Sequence, residues 1–222
     1  MWESAGGYGT SSLSRYRLGA DRPERRAALE EHLFGEGICR AGDVIWQLTW
    51  QERIALRWDA ATLAPAGQVR YSRHGWGICT AGEDVVTSDG TSELVRRDPV
   101  DLTPRQVIHV RCAGQRVLGL NDLAYAAGII WANVAGTACL AGIDLGTGEV
   151  TDIVSARAAT ERHPDSQSIL NGIAALPAAG EFLLTGKNYR SIRHVRLQPA
   201  RIRDAPERLV SGFSHWRSGL SV

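Results

Sequence analysis

The sequence predicts an all-β fold, a five-bladed β-propeller with an incomplete first blade. Three observations predict it. Four segments open alike, at Gly35 (GEGIC), Gly75 (GWGIC), Leu120 (LNDLA) and Leu170 (LNGIA). Their second residues, Glu36, Trp76, Asn121 and Asn171, follow one another at steps of 40, 45 and 50 residues. Self-similarity at such a period marks a repeat architecture. Each segment then reads as several short strands with turn signals between them. That is the pattern of antiparallel sheets and, at four strands per unit, of a propeller blade. A β-sandwich is the alternative, and the recurrence of a charged or amide residue at one repeat position favours the propeller.

In the unit opening at Gly35, a stretch of small residues leads to a turn at Ala41, Gly42 and Asp43. An apolar strand follows over residues 44–48, then a polar loop, an alternating strand over 53–58 and a tight turn at Asp59. The corresponding turn two units later covers residues 144–148. Closing strands are expected at 68–72, 106–111 and 149–155. At the amino end, WESAGGYGTSSLSRYRL matches the second and third strands of a unit. Trp2 falls where Trp46 and Trp131 fall, and the first strand of that unit would lie before Met1. The expectation is therefore one domain over residues 1–222. Its blades start near 35, 75, 120 and 170, with a partial blade over 1–18 and a tail over 198–222. Residues 19–33 are expected as partly helical or as a loose outer strand. The Arg-rich tail offers a strand candidate at 208–213.

Composition narrows the function. The 222 residues carry 25 basic and 24 acidic groups, a formal net charge of +1, with no long run of one sign. Neither nucleic acid nor an anionic membrane is indicated as a partner. Residues 123–143 lack charge and reach transmembrane length. They hold Asn133, Thr137 and three glycines, and read as buried strands. The start MWESAGGYG lacks the basic and apolar regions of a signal peptide. Cys39, Cys79, Cys112 and Cys139 lie too far apart for a zinc cage and are expected as buried free thiols.

A propeller brings the start of each innermost strand to one mouth, and the chain returns to that mouth after the second strand. One set of residues at the mouth is then Glu36, Trp76, Asn121 and Asn171. The returning set is Trp50, Ser88 with Asp89, Ala135 and Lys187. Lysine occurs once, at Lys187, so the other 24 of the 25 basic residues are arginine. A compact ammonium that can release a proton is a role arginine cannot fill. Each residue also has an ordinary reading. Glu36 can be a solvated loop acid, Asn121 and Asn171 turn caps, Trp76 core, and Lys187 a chance survivor. The glycines on both sides of Trp76 suit close approach of backbone to a ligand.

At these residues the sequence resembles the plant- and bacterial-type glutaminyl-peptide cyclotransferases, or glutaminyl cyclases. The strings WESAGGYGTSSL, FGEGI, LTW, GWGI, SDGTSEL, LND, WANV, IDLGTGEV, LNGIA and TGK occur in the family's order, from Trp2 to Leu197. The resemblance implies a five-bladed propeller without a catalytic metal or other cofactor. It implies conversion of amino-terminal glutamine to pyroglutamate with release of ammonia. Peptides or proteins with amino-terminal glutamine would be the substrates of a monomer. The family's catalytic glutamate falls on Glu36, its pocket asparagine on Asn121, its lysine on Lys187, and two of its pocket tryptophans on Trp50 and Trp76. Asn171 joins them as a substrate-binding residue. Ala135 stands where the family has a tryptophan, Ala124 closes a reduced LNELE pattern, and a glutamine of the first inner strand has no counterpart.

The expected chemistry follows. Glu36, its pKa raised by a partly dry aromatic pocket, takes a proton from the substrate amine and returns it to the departing ammonia. Asn121 and Lys187 donate to the oxyanion. Trp50 and Trp76 grip the substrate and exclude water. Two other functions fit the residues. One is a propeller lactonase with calcium or zinc held by Glu36, Asp89, Asn121 and Asn171, although Lys187 would repel the metal. The other is a degenerate, non-catalytic binding module.

Overall fold

The computed structural model describes residues 1–160, 169–197 and 200–201. The first sheet holds β1 (Trp2–Ala5), β2 (Ser12–Arg15) and β3 (Arg25–Ala28), in that order. The second holds β4 (Gly35–Ala41), β5 (Val44–Thr49), β6 (Ile54–Asp59) and β7 (Pro65–Arg70). The third holds β8 (Ile78–Ala81), β9 (Asp84–Ser88), β10 (Glu93–Arg97) and β11 (Pro104–His109). A small hairpin, β12 (Arg111–Cys112) and β13 (Gln115–Arg116), follows. The fourth sheet holds β14 (Leu120–Ala126), β15 (Ile129–Val134), β16 (Cys139–Asp144) and β17 (Val150–Ser155). The fifth holds β18 (Ile169–Ala175), β19 (Glu181–Lys187) and β20 (Arg193–Arg196). The only helical turn among the described residues is a 3-10 turn at Arg157–Ala159. The fold is a five-bladed β-propeller whose first blade has three strands.

Neighbouring strands within each blade run antiparallel in chain order, as short connections require. The stretch 19–33 resolves as outer strand β3, not helix. The tail candidate at 208–213 lies outside the described residues. Earlier in the tail, β21 (Ala200–Arg201) pairs with β17 at Asp152 and Ile153, adding a fifth strand to the fourth sheet. The uncharged stretch 123–143 forms parts of β14 and β16 and all of β15. No helix among the described residues is long and apolar enough to cross a membrane.

The turns follow side-chain chemistry. Asp59 Oδ1 accepts from the Ala61 and Thr62 amides at 3.1 and 2.7 Å. Asp144 Oδ1 accepts from Gly146 and Thr147 at 3.0 and 2.8 Å. These bonds, with the threonine hydroxyls, hold both carboxyls below the ordinary range.

The chain falls into two compact units. The first is Met1–Asp89 with Val95–Gln106, and the second is Gly90–Leu94 with the described residues from Val107 onward. The repeat tryptophans knit blades within each unit. Trp2 Nε1 donates to Ala60 O at 3.3 Å, and Trp46 Nε1 to Pro99 O at 2.9 Å. Trp131 packs edge-on against Phe182, ring centroids 6.0 Å apart. In each case the indole of one blade reaches the next. Trp46, Leu48, Ile78 and Val85 form one core cluster of the first unit. Leu13, Ile45 and Trp58 form another. Trp131, Leu140, Leu170 and Phe182 anchor the second unit. Strand β5 is covered on both faces, which suits its mostly apolar sequence, and the buried Gln47 that interrupts it donates to Ser4 Oγ at 2.8 Å. All four cysteines are free. Cys39, Cys79 and Cys112 are buried as expected, with burial pushing the Cys39 thiol up to about 12; Cys139, at the start of β16, is only half-buried.

Candidate active site

Three of the expected residues sit in β-bulges at the starts of inner strands. Gly35 pairs with Thr49 and Ile38 with Gln47, which leaves Glu36 and Gly37 outside the ladder. Leu120 pairs with Val134 and Leu123 with Ala132, which leaves out Asn121 and Asp122. Leu170 pairs with Gly186 and Gly172 with Thr185, which leaves out Asn171. A bulge frees a side chain from the two-residue alternation and re-aims it, and bulges gather beside active sites. The registers also align the returning residues. Trp50, Ala135 and Lys187 each follow the partner of the residue before the bulge. Lys187 is the exposed last residue of β19 and pairs with Ile169.

In the first unit, backbone bonds tie Glu36, Trp50 and Trp76 together. Gly37, beside Glu36, donates its amide to Trp76 O at 2.9 Å. Gly75 donates to the carbonyls of Thr49 and Trp50 at 3.1 and 3.0 Å. Trp50 N–H reaches Phe34 O at 3.0 Å. Glu36, Trp50 and Trp76 all remain partly exposed. Gly75 meets protein, not ligand: a Cβ there would lie 2.0 Å from the Tyr71 hydroxyl and 2.5 Å from Thr49 O. Gly37 is as tightly held, with a Cβ meeting Trp76 O at 2.7 Å and Gly77 Cα at 2.9 Å. Backbone cannot yield there as a side chain can. Gly37→Ala is expected to lower stability by about 1–3 kcal/mol in urea titration. A change below 0.5 kcal/mol would show that the bulge relaxes freely.

Ser88 and Asp89 are engaged in the structure. Ser88 Oγ accepts the Gly77 amide at 2.9 Å, and Asp89 accepts from Arg73 Nη1 at 2.8 Å. Behind them Tyr71 donates to Thr49 O at 3.0 Å. The Arg97 guanidinium lies 5.7 Å from the Tyr71 ring centre and donates to Thr87 Oγ1 and Leu102 O, each at 2.9 Å. Burial holds the Tyr71 phenol above its ordinary range. The Glu36 and Glu52 carboxylates add to this, while Arg97 opposes it.

In the second unit, Asn121 is buried at 9 % exposure. Asn171 is half-buried, and its Oδ1 is enclosed with no hydrogen-bond partner among the described residues. A buried, unpaired amide oxygen is uncommon and costly. Ala135, at its repeat position, donates its backbone N–H to Gly119 O at 2.8 Å. Sequence reasoning missed Asp122. Its Oδ2 accepts the Ile173 amide at 2.8 Å, joining β14 to β18 directly beside Asn121 and two residues from Asn171. Asp122 keeps some exposed surface as a residue, but burial of its carboxyl pushes the pKa up to about 7. Among the described residues no three His, Cys, Asp or Glu side chains converge as metal ligands.

The fold and these bulges define a β-propeller that presents isolated polar residues from its inner strands. The family model described as glutamine cyclotransferase matches residues 1–197, and the chain belongs to the glutamine cyclotransferase family. An Arabidopsis thaliana protein named glutaminyl-peptide cyclotransferase is 29 % identical over 205 residues, covering 90 % of this chain and 64 % of the relative. The chain thus spans just under two thirds of that relative's length. The crystal structure of Myxococcus xanthus glutaminyl cyclase superimposes with a TM-score of 0.79 at 29 % identity, covering 89 % of this chain and 86 % of that one. The β-propeller domain of Myceliophteria thermophila Cps50 (Swd1) matches in fold alone, with a TM-score of 0.52 at 12 % identity over 90 % of this chain and 66 % of that one.

Proposed function

We propose that the chain is a glutaminyl-peptide cyclotransferase that converts amino-terminal glutamine to pyroglutamate and releases ammonia. The observation that carries this reading is the repeated bulge, which holds Glu36, Asn121 and Asn171 at one repeat position. Lys187 stands at the matching position on the returning strand. Family membership and the two glutaminyl cyclase relatives support the same chemistry.

Cyclisation requires the α-amine nitrogen to form a bond with the side-chain amide carbon. In the proposed mechanism Glu36 accepts the proton that the amine loses on attack. The carbonyl oxygen gains negative charge, which Asn121 and Lys187 stabilise as hydrogen-bond donors. The tetrahedral centre then collapses. The carbon–nitrogen bond of the amide breaks, and Glu36 returns the proton to the leaving ammonia. No electron is transferred and no co-reactant is consumed. Trp50 and Trp76 hold the glutamine folded onto itself, Asn171 contributes to substrate binding, and proximity supplies much of the acceleration. Ala135 leaves one side of the pocket without an aromatic wall.

The test is release of ammonia from glutaminyl dipeptides by the purified chain, with the cyclised product identified by mass spectrometry. Stoichiometric ammonia and pyroglutamyl product are expected. Binding without product would point to the non-catalytic module.

A further inference from the structure

Three aromatic rings form a continuous series beside the strand that carries Glu36. Phe34 lies edge-on to Trp50, with ring centroids 5.6 Å apart, and Tyr8 lies edge-on to Phe34 at 5.3 Å. The series leads from Trp50 toward solvent, since Tyr8 is 51 % exposed. Such edge-to-face contacts leave ring surface open to a further aromatic partner.

The series is built to hold its geometry. Tyr8 sits at the tip of the loop GGYGTS, which packs flat on the start of β4. A Cβ on Gly6 would fall 2.4 Å from the Phe34 ring and 2.5 Å from Gly35 O. Buried Ser11 Oγ accepts the amides of Gly7 and Gly35, both at 3.0 Å, and donates to Gly7 O at 2.8 Å. Gly9 donates to Glu31 O at 2.9 Å. The Tyr8 hydroxyl donates to Glu52 Oε1 at 2.8 Å, and the other oxygen of Glu52 accepts the Phe34 amide at 3.4 Å. An exposed tyrosine fixed by its hydroxyl and by the loop beneath it presents a preformed apolar surface. Ordering it on binding costs little entropy.

We propose that Tyr8, with Phe34 behind it, forms a specificity subsite for the side chain of the substrate's second residue, and that it selects an aromatic side chain there. This rests on the reading of Glu36 and Trp50 as the glutamine pocket, because a peptide entered by its amino-terminal residue must place its second residue just outside that pocket. Glu52 holds the Tyr8 ring and does not contact the substrate.

The test measures binding apart from catalysis. The Glu36→Gln variant is titrated calorimetrically with glutaminyl-phenylalanine amide and with glutaminyl-glycine amide. The phenylalanine peptide is expected to bind roughly three- to tenfold more tightly, the range of one aromatic contact. Adding Tyr8→Ala should bring the ratio to about one, while Tyr8→Phe, which keeps the ring and the loop beneath it but not the bond to Glu52, should keep a reduced ratio above one. An initial ratio of one, a ratio that survives Tyr8→Ala, loss of the ratio in Tyr8→Phe, or no binding of either peptide overturns the subsite. Ammonia release by the unmodified chain judges the cyclotransferase reading separately.

Discussion

Glu36→Gln abolishes ammonia release from glutaminyl peptides and leaves the protein folded: this is the largest effect expected of any single substitution. In the proposed mechanism one carboxylate moves the proton twice, first from the attacking amine and then to the leaving nitrogen. Glutamine keeps the shape and polarity of the side chain but can do neither. Loss of a positioned acid–base group costs about 10²–10⁴ in rate, and here both transfers fail together. The backbone around position 36 has anchors of its own. Its bulge is secured by the Gly37 amide on Trp76 O and by the Gly35 amide on Ser11 Oγ. Thermal or urea unfolding should therefore shift by about 1 kcal/mol or less. Turnover within tenfold of the parent would remove Glu36 from the mechanism. Loss of cooperative unfolding would make it a structural residue.

The second large effect concerns Asp122 and runs through stability. Its carboxyl is raised to about 7 by burial, against which the Ile173 and Leu123 amides work. In the unfolded chain an aspartate titrates near 4. The folded state therefore binds the proton more tightly. The neutral form's contribution is fully present below about pH 4 and is lost progressively as pH rises through about 7. The gap of about three pKa units corresponds to a contribution on the order of 4 kcal/mol. Asp122→Asn keeps an oxygen for the Ile173 amide and cannot ionise. Relative to the parent it should gain on the order of 4 kcal/mol between pH 4 and pH 8, read from urea midpoints at each pH. A parent–variant difference that stays constant over that range would mean that the carboxyl titrates normally. Asp122 also adjoins Asn121, so the same variant should alter the pH profile of turnover.

Much of the fold is legible in the sequence because a repeat states each element several times. GEGIC and GWGIC announce equivalent strands, and Trp2, Trp46 and Trp131 mark one position in three blades. That position has a physical basis in the indole's reach to the neighbouring blade. Asp59 and Asp144 foretell their turns because an aspartate collecting local amides needs no tertiary partner. Less legible is the stretch 19–33. Outer strands are exposed on one side and carry weak patterning, as RRAA in β3 illustrates. The candidate site was legible in its residue types. Its mechanism of presentation was not, because a bulge has no required residue. Asp122 stayed hidden for a related reason: its role depends on an amide 51 residues away. The glycines around Trp76 were assigned to ligand approach, whereas Gly75 is occupied by Tyr71 and Thr49.

Because Glu36, Asn121 and Asn171 stand outside the pairing ladder, exchanging one of them leaves the strand register in place. Chemistry and architecture are thereby separable. Evolution, or a designer, can re-equip each blade one side chain at a time, as on a turret whose tools are changed without recutting the mount.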